Sequence, residues 1–297
     1  NCSPDRDVPS GLSSQNAGSS SSPRAAAGSE MDVPSEPSPT ISRGAAPPLR
    51  LGDIDVTDGD VSVRGTDWVM TAQPALALTR IYRSSMTWRL GGHGRGWVGA
   101  FEESLREEDG RLLYLDRAGR VIEVPVPYEG GRLPVGAVAH APAWGVTVRR
   151  LATEAWDLLY AAGGRRRFLR VGETDTYRLS EVQDPVGLRL SLRYDSHGLL
   201  RAVSSDTDIV RFEHDADRRI IRAWVPSQPH TGEPWVVAAR FRYHADGQLM
   251  EAVDACGRTA RYRFENDLVV SWSDEECTRH YEYRIAASSR TCRRERW

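Results

Sequence analysis

From Leu190 onward the apolar positions alternate with polar ones and are punctuated by short turns. Leu190, Leu192 and Tyr194 fall on one strand face, with Ser191 and Arg193 on the other. Tyr194-Asp195-Ser196-His197-Gly198-Leu199-Leu200 then reverses the chain. Asp195 can accept backbone N–H groups in such a turn, and Gly198 supplies a positive φ at little cost. Leu200 and Val203 begin the return strand, so the segment predicts one β-hairpin.

The pattern recurs at His214-Asp215 with Arg218 and Ile220, and again at Tyr243-His244 with Gly247 and Leu249. Tyr262-x-Phe264 and Tyr281-x-Tyr283 are weaker echoes. Equivalent positions 194, 214, 243, 264 and 283 are separated by about twenty residues, and the one longer step holds the loop 226–234. A near-constant period with one insertion marks a repeat architecture. A lone hairpin is marginal in water, so such units must pair edge to edge. The expected fold is all-β, with antiparallel hairpins stacked into a spiral sheet.

Upstream, residues 49–187 read as further short strands with little helical periodicity, and the repeats proper are expected from 188 to 297. Leu112–Val121 looks like a hairpin with its own Tyr114, Asp116 and Gly119. Residues 1–48 are rich in Ser, Pro, Gly and Ala and hold no aromatic, so they predict a disordered linker with ordered structure beginning near Leu49. The chain opens at Asn1 and stops inside a repeat, which suggests a fragment.

Composition narrows the function. Net charge is −2 over 297 residues, which does not suit a general nucleic-acid binder. Every one of the 39 basic residues is Arg, the mark of a biased base composition. No apolar run reaches the ~20 residues of a membrane helix, and no signal peptide is visible. The four cysteines fit no zinc spacing. Cys256 and Cys277 lie one repeat apart and can approach each other, but free buried thiols are the expected state.

Each candidate chemistry has a plainer reading. Asp53, Asp55, Asp58 and Asp60 depart from the calcium-loop pattern, because Gly59 falls late and the twelfth position is Arg64. A solvated acidic turn is expected. Gly91–Gly96 lacks the following helix that phosphate loops use, so it reads as a flexible turn before a buried Trp97. The seven histidines form no ligand or triad pairing, and they are expected on the surface or on strands. Arg165–Arg167 and Arg293–Arg294 read as solvated hairpin edges. No cofactor, metal site or catalytic residue is expected.

Several motifs in order resemble the Rhs, or YD-repeat, polymorphic toxin family. Gly52-Asp53-Ile54-Asp55-Val56-Thr57-Asp58-Gly59 comes first, without the proline usual in that motif. Leu78-Thr79-Arg80-Ile81-Tyr82-Arg83-Ser84-Ser85 follows, then Gly94-Arg95-Gly96-Trp97 and the Tyr-Asp turns. The resemblance covers about residues 49–297. It implies a non-enzymatic shell segment that encapsulates a C-terminal toxin for interbacterial competition. Its partners would be the rest of the shell, the cargo, a secretion-system component and an immunity protein, and it would be secreted or delivered by that system. The resemblance also brings in a terminal Asp-Pro-x-Gly-Leu cleavage motif, but Asp184-Pro185-Val186-Gly187-Leu188 precedes a fresh repeat and reads as an ordinary turn. A teneurin-like adhesion or carbohydrate-contact module is the second expectation; exposed aromatic ladders on the outer face would favour it. An enzyme with a cryptic site is the third.

Overall fold

Alternation of buried and exposed residues shapes the whole molecule. The strand Arg189–Tyr194 buries Leu190 and Leu192 and exposes Arg189, Ser191 and Arg193. The next-but-one strand, Ile209–His214, buries Val210 and Phe212 and exposes Arg211. One apolar face per strand forces each hairpin against a common core. The computed structural model describes residues 41–42, 50–51, 53–55, 58–70, 76–128, 130, 132–172, 174–206, 209–227, 234–286 and 289–296.

Among these residues the fold is nearly all β, with only short 3-10 turns such as Ser84–Met86 and Pro142–Trp144. Antiparallel pairing runs unbroken from Val138–Ala141 to Ser289–Arg296, each strand bonded to the next. The ladder passes residue 188 without interruption, through Glu181–Gln183 paired with Arg189–Ser191. The first half of the same strand, Thr176–Arg178, pairs instead with Ser104–Arg106. That fork attaches a smaller sheet, Ser104–Glu108, Arg111–Leu115 and Val121–Val124.

The linker expected over 1–48 lies outside the described residues except for Ile41–Ser42. These two pair in parallel with Val121–Ile122.

A second layer fills the inside of the ladder. Ser62–Met70 and Leu76–Arg83 form a hairpin, and Trp97–Gly99 pairs beside it. Val61, Val63, Tyr82 and Trp97 share one core with Leu190, Val203, Ala223, Tyr262 and Tyr281 of the ladder. We call the segment Asp53–Glu103 the inner brace.

Candidate functional site

The repeat unit has one recurring irregularity. Register shifts fall between Arg193 and Tyr194, Glu213 and His214, Arg242 and Tyr243, Arg263 and Phe264, and Glu282 and Tyr283. These are β-bulges, with the extra residue on the return strand (Arg201 in the first) opposite the five positions that the sequence period identifies. The tyrosines at these positions lie against the preceding hairpin. There the hydroxyl of Tyr194 donates to the Leu179 carbonyl at 2.7 Å, that of Tyr243 to Ile220 at 2.6 Å, and that of Tyr283 to Val269 at 2.9 Å. Each tyrosine therefore fastens its hairpin to the one before. Burial pushes all three phenols well above their usual pKa, so they stay donors. Phe264 keeps the ring without the hydroxyl and packs edge-on to Tyr82 at 5.9 Å.

The turns are equally uniform. Asp195 accepts the N–H groups of His197 and Leu199, both at 2.9 Å, and the Arg201 side chain at 2.9 Å. Asp116, Asp184 and Asp254 accept the same two N–H positions in their own turns. Asp184 is thus the turn residue expected of it. Where the aspartate is lost, at His244, Asp246 takes part of its role by accepting the Gln248 N–H at 3.0 Å. Gly198 and Gly247 adopt positive φ, and Arg218 is forced into the same region at φ 69°. Asp254-Ala255-Cys256-Gly257 repeats the Asp-x-x-Gly spacing, and that spacing is the signal that marks it.

The resemblance-derived residues gather in the inner brace. Arg80 forms a buried ion pair with Asp67, donates to the Tyr262 hydroxyl at 2.7 Å, and lies 5.4 to 5.7 Å from the rings of Trp97, Phe241 and Tyr262. Burial alone would lower the Arg80 pKa, but Tyr262 and Asp67 outweigh it and raise it. The Tyr82 hydroxyl accepts the Val269 N–H at 3.1 Å and donates to the Asp267 carbonyl at 3.2 Å. Trp97 is fully buried and meets Tyr262 edge-on at 4.9 Å. Gly96 has φ +77°, and a Cβ there would sit 2.7 Å from Tyr82 Cε2. Farther along, Asp53 accepts from the Tyr281 hydroxyl at 2.5 Å and from Arg279 at 2.8 Å. The Gly59 carbonyl accepts the Cys292 N–H at 2.9 Å.

Several expectations are corrected. The acidic turn is not solvated: Asp55 and Asp60 are buried, because Asp60 anchors Arg83, Ser84 and the Ser85 N–H. Only Asp58 faces solvent. Nor are Arg165–Arg167 a solvated edge. Arg167 grips the fully buried Asp157 through two bonds, Arg165 pairs with Glu181, and Arg166 approaches Glu103 at 3.4 Å. The side chains of Arg293 and Arg294 lie outside the description. His93 is buried against Phe241 at 4.9 Å instead of lying at the surface. Cys256 and Cys277 are free, as expected, but Cys256 is exposed at the tip of its turn.

Buried carboxylates divide by partner. Burial pushes the Glu102 carboxyl up, but Arg89 and His93 outweigh it and hold it far below the usual range. Glu103 goes the other way: burial prevails over Arg166 and raises it, with the Tyr114 hydroxyl on its carboxyl. Asp67, Phe241 and Glu102 carried no local signal in the sequence. Among the described residues no group of His, Cys, Asp and Glu can hold a metal ion, and no helix is long and apolar enough to cross a membrane.

Residues 52–124, which include the whole brace, match a family described as a domain of unknown function, DUF6531. In an alignment of 228 positions that covers 73% of this chain, it is 28% identical to the double-stranded DNA deaminase toxin A of Burkholderia cenocepacia strain H111. It spans 15% of that protein. Two solved structures align weakly. The Photorhabdus luminescens Tc holotoxin pore covers 80% of this chain, and 19% of its own, at 10% identity and TM-score 0.46. The N-terminal domain of the Salmonella typhimurium effector SpvB covers 79%, and 97% of its own, at 14% identity and TM-score 0.34. By sequence, then, the chain is related to a segment of a toxin.

Proposed function

We propose that this chain is a wall segment of an Rhs-type, YD-repeat shell that encloses a C-terminal toxin used against competing bacteria. The observation that carries the reading is the five-fold recurrence of the bulge in one continuous ladder, with the tyrosine hydroxyls tying successive hairpins together. Units of this kind can be added without limit, because each presents the next with a strand edge. The likeness to a deaminase toxin supports a toxin context and supplies no catalytic residue for this segment.

The wall is non-catalytic. Its buried ionisable groups are mutually engaged, and their geometry serves cohesion: Arg80 with Asp67, Arg83 with Asp60, Arg89 with Glu102, Arg167 with Asp157. Rhs-type partners follow from the reading: the remaining shell, the cargo, a delivery system and an immunity protein.

Limited proteolysis of the natural full-length protein tests it. The C-terminal segment should resist protease while the shell is folded and become cleavable when mild denaturant opens the shell. A C-terminal segment cut freely from the native protein would overturn the reading.

A further inference from the structure

The outer face of the ladder carries more positive charge than it balances. Between Arg189 and Glu265 the acids that the strands turn outward are Glu213, Glu251 and Glu265. Glu213 pairs with Arg222 at 3.0 Å, and Glu251 is shared by Arg242 at 3.7 Å and Arg261 at 3.2 Å. Arg193, Arg211, Arg240 and Arg263 are exposed and, among the described residues, have no carboxylate partner. We infer that this face docks on an anionic lipid surface, whose headgroups supply the missing negative charge.

The arginines form rows across the sheet. Arg222 and Arg240 stand directly opposite each other, and like charges so placed weaken a sheet. Arg242, Glu251 and Arg261 make the next row, and Arg193 and Arg211 flank Ala202 in a third. At about 4.8 Å per strand the array from Arg193 to Arg263 spans roughly 30 Å. The whole chain carries −2, so the excess belongs to this face and not to the composition. It is also confined to the repeats, because farther upstream Arg165 is matched by Glu181 and Arg167 by Asp157.

The array suits a broad surface better than a strand of nucleic acid. The brace packs on the opposite side of the ladder, and none of these arginines lines the cavities there. A single nucleic-acid strand takes a charged groove with open aromatic faces. Here the Arg211 guanidinium covers the Trp235 ring at 3.8 Å, and the Trp224 N–H is tied to Glu213 at 3.1 Å. Anionic headgroups attract a basic array without any groove. Half-buried indoles among arginines fit the headgroup layer, where tryptophan is enriched.

Flotation of the full chain with vesicles tests the face. At about 50 mM NaCl the chain should float with vesicles of phosphatidylcholine and phosphatidylglycerol in equal parts, and about 0.5 M NaCl should release it. It should not float with pure phosphatidylcholine. Arg240→Gln combined with Arg263→Gln should weaken partitioning about twentyfold, about fivefold for each charge. If that double change alters the circular dichroism spectrum, Arg193→Gln replaces it, with an expected weakening of about fivefold. Arg117→Gln removes an exposed charge beside a brace cavity and should leave flotation unchanged. Excess duplex DNA should leave the chain on the vesicles, and displacement by it would overturn the lipid assignment. So would failure to float with the anionic vesicles, equal flotation with the neutral ones, or equal weakening by Arg117→Gln.

Discussion

The ladder and the inner brace solve stability in opposite ways. The ladder repeats one device: an Asp-bonded turn, a bulge, and a tyrosine fastened to the previous carbonyl. Loss of one copy leaves its neighbours intact, so His214 and Phe264 can replace tyrosine and Arg218 can replace glycine without ending the sheet. The brace repeats nothing. Asp53 and Gly59 reach the hairpin Thr278–Arg296, Arg80 and Tyr82 the hairpin Thr259–Ser273, and Gly92 reaches Tyr243, all through contacts more than a hundred residues apart. Redundancy tolerates substitution, and single long-range ties do not.

The largest effect should come from the brace. Asp67→Ala strands the buried Arg80 charge, and unfolding in urea should show a loss of about 3–5 kcal/mol. Adding Arg80→Met should recover much of it, and failure to recover would mean that the pair does more than neutralise charge. In the ladder, Tyr243→Phe removes the hydroxyl's bonds to the Ile220 and Gly92 carbonyls, the second of which keeps the Ile220 N–H, and should cost about 1–3 kcal/mol by the same measurement. Asp254→Ala removes two N–H bonds from an exposed turn and should cost about 1 kcal/mol. An Asp254 loss as large as that of Asp67 would erase the contrast between the regions.

Smaller effects sharpen it. Arg218→Gly relieves a left-handed residue and should raise stability by up to about 1 kcal/mol. Burial, helped by Arg201, lowers the His214 pKa below its ordinary 6.5. The unfolded chain then binds a proton first as pH falls, so stability drops on acidification from about pH 7 to about pH 5. His214→Phe should flatten that slope in thermal melts. Asp195, Asp254 and Asp274 act at lower pH. Burial raises them, but the turn N–H groups, with Arg258 on Asp254 and Arg201 on Asp195, outweigh it and depress them, so their contribution holds above 3.8 and is lost as pH falls through the folded values.

This contrast also explains what the sequence made legible. The period predicted the all-β ladder and placed the five bulge positions, because every repeat must solve the same local problem of turning and pairing. Asp195, Gly198, Tyr194 and Tyr243 do what their residue types suggest. In the brace, local reasoning failed. Asp60 looked solvated because three neighbouring aspartates suggest a wet turn, yet Arg83 and Ser84 lie 23 and 24 residues away and bury it. Arg166 looked like part of a surface basic run, yet alternation turns it toward Glu103. Nothing near Asp67 announces its Arg80 partner. Arg80 and Tyr82 were singled out by resemblance and Trp97 also by its place after the glycine turn, and the structure shows all three buried against the ladder.

The recurring bulge has a geometric consequence. An extra residue placed at the same point of each unit bends and coils the ladder by the same increment every time. Curvature is then a local property, written into some twenty residues and independent of how many units follow. Duplicating or deleting one unit would lengthen or shorten the ladder while leaving its curvature untouched.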